Sequence, residues 1–230
     1  YMDSARGYTV SEAYLGEAMK GLREKFIIAT KNMARTRTAL EKDILTSLQN
    51  FQTDYIDLYQ CHNPKVEELD AFCGEDGGLE ALKAAQAQGK IGHLGVTAHS
   101  REVFEKALTL DWVETIMFPY NIVETQGEDL IAACQQKNIG FIAMKPLAGG
   151  AIEDSNLAIR YILQNPGVSV AIPGMHCVEE LEQNVAAAIQ QVPFSQEEEM
   201  RIQEIRRTLS GNFCRRCNYC APCSVGIDIP

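Results

Sequence analysis

Four side chains in the first third of the chain have the types and spacing for delivering a proton to a carbonyl oxygen. Asp3 closes a short extended segment, and Tyr8 stands in the loop that follows. Lys31 comes directly after the strand-like run Phe26–Thr30, and His62 directly after Asp57–Cys61. An acid, a phenol, an amine and an imidazole thus gather at the same end of three strands. A tyrosine of ordinary pKa, ~10, is a poor acid at neutral pH. An ammonium beside it favours the phenolate and draws that pKa toward the working range. A carboxylate next to the lysine keeps it charged and in place. A neutral histidine orients a carbonyl by a hydrogen bond. Each residue alone also has a bland reading: a cap for Asp3, a surface charge for Lys31, a packing aromatic for Tyr8 and a core imidazole for His62. Their common register favours chemistry.

A second cluster lies near the end. Cys214, Cys217, Cys220 and Cys223 follow a C-x2-C-x2-C-x2-C spacing. A zinc ribbon needs two knuckles separated by ~15–20 residues. One compact run suits a 4Fe-4S cluster, whose irons present several corners to a single wrapping loop. Zinc or free thiols remain alternatives, and the two-residue last gap leaves open whether Cys223 ligates the same cluster. Cys61, Cys73, Cys134 and Cys177 are scattered and read as plain buried thiols. A disulfide framework would spread its cysteines differently, so the usage fits a cytoplasmic protein.

The elements that must position these groups alternate between short apolar runs and amphipathic helices. The expected strands are Tyr1–Ala5, Phe26–Thr30, Tyr55–Gln60, His93–Ala98, Thr115–Pro119, Phe141–Lys145 and Val168–Ile172. Leu40, Ile44, Leu48 and Phe51 form one apolar helical stripe, and Val178, Leu181, Val185 and Ile189 a second. Ser11 and Ser100 signal helix starts, and Gly89 a helix stop. The alternation argues βα units around a parallel sheet. No G-x-G-x-x-G follows the first strand, so an open doubly wound sheet is disfavoured. The reading is a (β/α)8 TIM barrel lacking its first βα unit. It spans 1–194, and 195–230 supplies a linker helix and the cysteine-rich segment. The chain opens at Tyr1, with no starting Met, which suits a truncated barrel.

Charge and composition exclude several classes. The 230 residues hold 21 Lys+Arg against 31 Asp+Glu, a net charge of −10. That balance argues against a nucleic-acid partner. Hydrophobic residues make up 46% and charged residues 23%, the balance of a folded globular chain. No apolar run reaches the ~18–20 residues of a membrane helix, so no membrane partner is expected.

The motifs carry a resemblance. Asp3–Tyr8, Ser11-Glu12, Leu15–Ala18, Ile28–Lys31, Tyr55–His62, Gly95–Thr97, Met144–Gly150, Ile172–Gly174 and Leu181–Asn184 together resemble the aldo-keto reductase family. The resemblance implies a (β/α)8 barrel that moves hydride between NADP or NAD and a small carbonyl or alcohol. It implies a catalytic tetrad of Asp3, Tyr8, Lys31 and His62, with Tyr8 as general acid. Cofactor positions carried over are Thr97, Met144, Lys145, Leu147, Gly174, Met175, Gln183 and Asn184. Met144 stands where the family often has an aromatic ring, and Ala98 and Met117 where it often has amide side chains. No Lys or Arg lies between Arg160 and Arg201, which weakens an NADP assignment and leaves NAD open. The tail resembles bacterial ferredoxin-type segments found on a subset of the family, which would imply an electron-transfer partner. Two other readings stand beside the enzyme: a non-catalytic nicotinamide-binding sensor and an iron–sulfur electron-transfer module.

Overall fold

The computed structural model describes residues 1–190 and 192–209. The chain forms two compact units: Tyr1–Phe118 with Asp129–Ile142, and Pro119–Glu128 with the chain from Ala143 onward.

In the first unit, strands β1 (Met2–Asp3), β2 (Ile28–Asn32), β3 (Ile56–His62), β4 (Ile91–Thr97) and β5 (Thr115–Pro119) pair in chain order, all parallel. Five buried residues in a row make β2, as expected of a parallel strand covered on both faces. The helices between strands are α1 (Ser11–Ala18), α2 (Arg37–Phe51), α3 (Val66–Cys73), α4 (Gly78–Ala87) and α5 (Arg101–Ala107). The expected stripe of α2 is buried in full. Gly16 lets α1 cross α2 closely, because a Cβ there would stand 2.2 Å from the Asn50 carbonyl oxygen. Phe104 anchors an aromatic core, its ring centroid 5.1 Å from Phe118 and 5.8 Å from Phe141. Helix α6 (Glu128–Gln136) and strand β6 (Gly140–Met144) follow.

The second unit contains α7 (Ser155–Leu163), β7 (Val168–Ile172), α8 (Val178–Ile189) and α9 (Gln196–Leu209). Its core joins Ile122, Ala148, Ile152, Leu157 and Ala158 to Ile202 and Ile205 of α9. The buried Arg160 of α7 bonds Glu198 of α9 and lies 4.9 Å over the Phe194 ring.

The structure corrects several expectations, the ends of β1, β3, β4 and β6 among them. Strand β2 begins two residues later than Phe26, because Ile27 is exposed and the ladder runs on through Asn32. Lys31 and His62 therefore sit inside their strands and not just beyond them. The stripe on α8 faces outward, with Val178 65% and Ile189 76% exposed. That helix buries Asn184 and Ala187 instead, and it packs beside α7. Periodicity shows which residues share a face, but not which face finds a partner. Cys177 is exposed at the start of α8 and Cys73 is half-buried, whereas Cys61 and Cys134 are buried as expected.

Candidate active site

Strand register brings three of the four chemically suited residues together. Asp3 pairs with Ala29, Lys31 with Gln60, and His62 with Thr97, so successive strands carry the polar groups to their C-terminal ends. Lys31 is 2% exposed. Its Nζ bonds a carboxylate oxygen of Asp3 and donates to the Ser4 carbonyl at 2.8 Å. The fourth residue, Tyr8, arrives on the loop between β1 and α1. Lys31 Nζ lies 5.0 Å from the Tyr8 ring centroid. The His62 ring meets Tyr8 edge-on, with centroids 6.0 Å apart and planes at 85°. Tyr8 is 46% exposed, so its ring faces both the buried charges and solvent.

Burial dominates the electrostatics. Taking Asp3 and Lys31 out of water pushes the carboxyl up and the amine down, each against the attraction of its partner. The expected contact is made, but it only partly offsets the desolvation that favours an uncharged lysine. His62 is pushed down to about 4, first by burial and then by the nearby Lys31, His99 and Arg35. Its imidazole is neutral at neutral pH, and Nδ1 has no hydrogen-bond partner among the described residues.

Thr97 is buried beside His62, and its hydroxyl accepts the Asn63 N–H at 2.9 Å. Ala98 and Met117 are buried, and the Ala98 N–H donates to the Met117 carbonyl at 2.8 Å. Both positions present apolar side chains, as the sequence reading noted.

The remaining carried-over positions lie in the second unit, on three segments. Met144 ends β6, and its carbonyl accepts the Tyr120 N–H at 3.2 Å. Lys145 has φ 55°, Ala148 50°, Gly149 70° and Gly150 89°. A non-glycine residue held in the left-handed region costs of order 1–3 kcal/mol and persists only where the surroundings demand it. Here Asn121 supplies part of that demand, donating to the Lys145 carbonyl at 2.9 Å and to Glu124 at 2.9 Å. Leu147 packs against the unit's core. Gly174 and the exposed Met175 follow β7, and a Cβ at Gly174 would meet nothing within 4 Å. Gln183 is exposed. Asn184 is buried, and its Oδ1 has no partner among the described residues.

The sequence reading missed two supports. One is the Asn121–Glu124 brace, whose only signal was the turn-forming asparagine after Tyr120. The other is Glu12, a first-turn acid that proves buried and hydrogen-bonded to Thr30, Ser47 and Asn50. Cys214, Cys217, Cys220 and Cys223 lie outside the described residues. Among the described residues, no cluster of His, Cys, Asp and Glu could hold a metal ion, and no helix is long and apolar enough to cross a membrane.

Parallel βα units with polar groups at the C-terminal ends of their strands are the arrangement found in (β/α)8 barrel enzymes. The chain belongs to the Aldo/keto reductase family, whose model matches residues 1–157 and 152–207. It is 31% identical over 222 residues to the uncharacterized oxidoreductase C215.11c of Schizosaccharomyces pombe, covering 82% of this chain and 69% of that one. It is 26% identical over 227 residues to the L-galactose dehydrogenase of Arabidopsis thaliana, covering 79% and 70%. Among solved structures, the holo form of an aldo-keto reductase from Bacillus halodurans superposes with TM-score 0.77 at 24% identity, covering 89% of this chain and 82% of that one. An aldo-keto reductase from Klebsiella pneumoniae in complex with NADPH superposes with TM-score 0.73 at 26% identity, covering 89% and 78%.

Proposed function

We propose that this aldo-keto reductase interconverts a small carbonyl compound and its alcohol, with Tyr8 as general acid and NADP or NAD as hydride carrier. When bound, the reduced nicotinamide supplies hydride to the carbonyl carbon. Tyr8 gives its hydroxyl proton to the carbonyl oxygen and regains one from solvent. Lys31 stabilises the phenolate left behind, and Asp3 holds Lys31. His62, neutral because it is buried, donates a hydrogen bond that orients the carbonyl. The observation that carries this reading is the Lys31 ammonium 5.0 Å from the Tyr8 ring, with the His62 ring 6.0 Å away on the same phenol.

The residues fit a nicotinamide dinucleotide. Within the second unit, the buried Asn184 Oδ1, which has no hydrogen-bond partner among the described residues, and the left-handed turn after Met144 suit a polar ligand. Thr97, Met144, Lys145, Leu147, Gly174, Met175, Gln183 and Asn184 would hold it. The NADPH bound by the Klebsiella relative favours NADP, whereas Glu179, Glu180 and Glu182 with no nearby Lys or Arg favour NAD. Aldehyde-dependent oxidation of NADPH and NADH tests the function. Turnover in the native protein that vanishes in Tyr8→Phe, with cofactor binding kept, supports it. Native turnover in Tyr8→Phe refutes it.

The C-x2-C-x2-C-x2-C run supports a 4Fe-4S cluster on Cys214, Cys217, Cys220 and Cys223, appended by 195–230 to a barrel of 1–194, and with it an electron-transfer partner. Anaerobic purification with absorption spectroscopy and metal analysis distinguishes four irons from one zinc or from free thiols. The thiol-rich tail supports a cytoplasmic location.

A further inference from the structure

Strand β2 works on both of its faces. Lys31 points toward Asp3 and Tyr8, while its neighbours Thr30 and Asn32 point the opposite way. Each neighbour holds a carboxylate. Thr30 Oγ1 donates to Glu12 of α1 at 2.8 Å, and Asn32 Nδ2 donates to Asp43 of α2 at 2.9 Å. Glu12 is fixed further by Ser47 at 2.8 Å and Asn50 at 3.0 Å. Between the two carboxylates lies the Arg6 guanidinium, 3.6 Å from Glu12 and 3.9 Å from Asp43. Arg6 is two residues before Tyr8, and its backbone N–H donates to the Lys31 carbonyl at 2.9 Å. The phenol's loop is therefore tied to the strand of the ammonium twice, once by backbone and once through the fork.

We propose that Arg6, ion-paired with both Glu12 and Asp43, is a positioning residue that sets the spacing of the Tyr8 phenol from the Lys31 ammonium. The proposal rests on the role given to Tyr8 above. Arg6 touches no reacting atom; it acts through the loop. Lys31 of β2 and His62 of β3 bear on the phenol directly, with Asp3 of β1 behind Lys31 and with His99 and Arg35 bearing on His62. Glu12 and Asp43 reach it by way of Arg6. Glu12 is buried, so it suits a fixed anchor, and Asp43 is the solvent-side jaw.

The test compares pH profiles of kcat and kcat/KM for 4-nitrobenzaldehyde reduction in native protein, Arg6→Gln, Arg6→Lys, Asp43→Asn and Tyr8→Phe. With a slackened loop the phenol sits farther from Lys31 and becomes a weaker acid, so the alkaline limb moves to higher pH. Misplacing the proton donor also lowers kcat, by ~10- to 100-fold in Arg6→Gln, while KM moves little. Arg6→Lys keeps a cation in the fork and regains part of kcat. Asp43→Asn shifts the limb the same way by less, and it decides the question if Arg6→Gln does not fold. Native limb position and native kcat in both Arg6→Gln and Asp43→Asn would overturn the proposal, as would an Arg6→Lys no better than Arg6→Gln. Native activity in Tyr8→Phe would instead remove the function on which it rests.

Discussion

Lys31 Nζ, buried and bonded to Asp3, stands 5.0 Å from the centroid of the Tyr8 ring. An ammonium so close to a phenol lowers the cost of giving up its proton. Replacing Lys31 by Met should therefore reduce carbonyl turnover by ~10²–10⁴-fold, the range of a lost general acid. Steady-state assays read this, with cofactor affinity from fluorescence titration expected to change little. A Lys31→Met enzyme with native kcat would mean that the phenol needs no such neighbour.

The same pair makes a prediction about stability. Removing one partner strands the other in a buried setting, at a cost of roughly 3–5 kcal/mol for Lys31→Met. Removing both, as in Lys31→Met with Asp3→Asn, should cost clearly less than the sum of the single changes. A double-mutant cycle by urea denaturation measures the coupling. Simple additivity would show that the two groups are not energetically coupled.

His62 gives the pH dependence a sign. Its folded pKa of about 4 lies below the ordinary 6.5, so the unfolded chain binds more protons between those values. Its contribution is present above about 6.5 and is lost as pH falls through about 4. The full interval corresponds to ~3 kcal/mol. Unfolding free energies of native protein and His62→Gln across this window should diverge, with native protein showing the steeper acid loss. Parallel curves would contradict the neutral imidazole.

Two packing positions test the scaffold. Phe104→Ala, at the centre of the aromatic core, should cost ~3–5 kcal/mol. Gly16→Ala should cost ~1–3 kcal/mol through overpacking, because its Cβ would meet the Asn50 carbonyl oxygen at 2.2 Å. Thermal and urea denaturation check both. An unaffected Gly16→Ala would show that α1 can move off α2 freely.

Much of this arrangement was legible in the residues. Val168–Ile172 and Thr115–Pro119 form strands over their expected lengths, because short β-branched and aromatic runs between turn signals have few other uses. The α2 stripe was legible because it is both periodic and covered. The α8 stripe was equally periodic, yet it lies exposed, since coverage is a property of the neighbouring elements. Lys31 reads from sequence as the residue just past its strand, because a charged side chain ends the apolar run, whereas in the fold the ladder runs on through Asn32. Glu12 looked like an ordinary helix-start acid. Its partners Arg6, Thr30, Ser47 and Asn50 are spread over 45 residues, and only folding brings them together.

Direct titration of the phenol goes to the heart of the matter. Ultraviolet difference spectra of native protein against Tyr8→Phe isolate one tyrosine's ionisation, and the Lys31→Met background shows what the ammonium adds. Tyr8 is expected to ionise below the ordinary tyrosine value of ~10 and to climb back toward it when Lys31 is removed. A Tyr8 that titrates at or above the ordinary value, indifferent to Lys31, would contradict it.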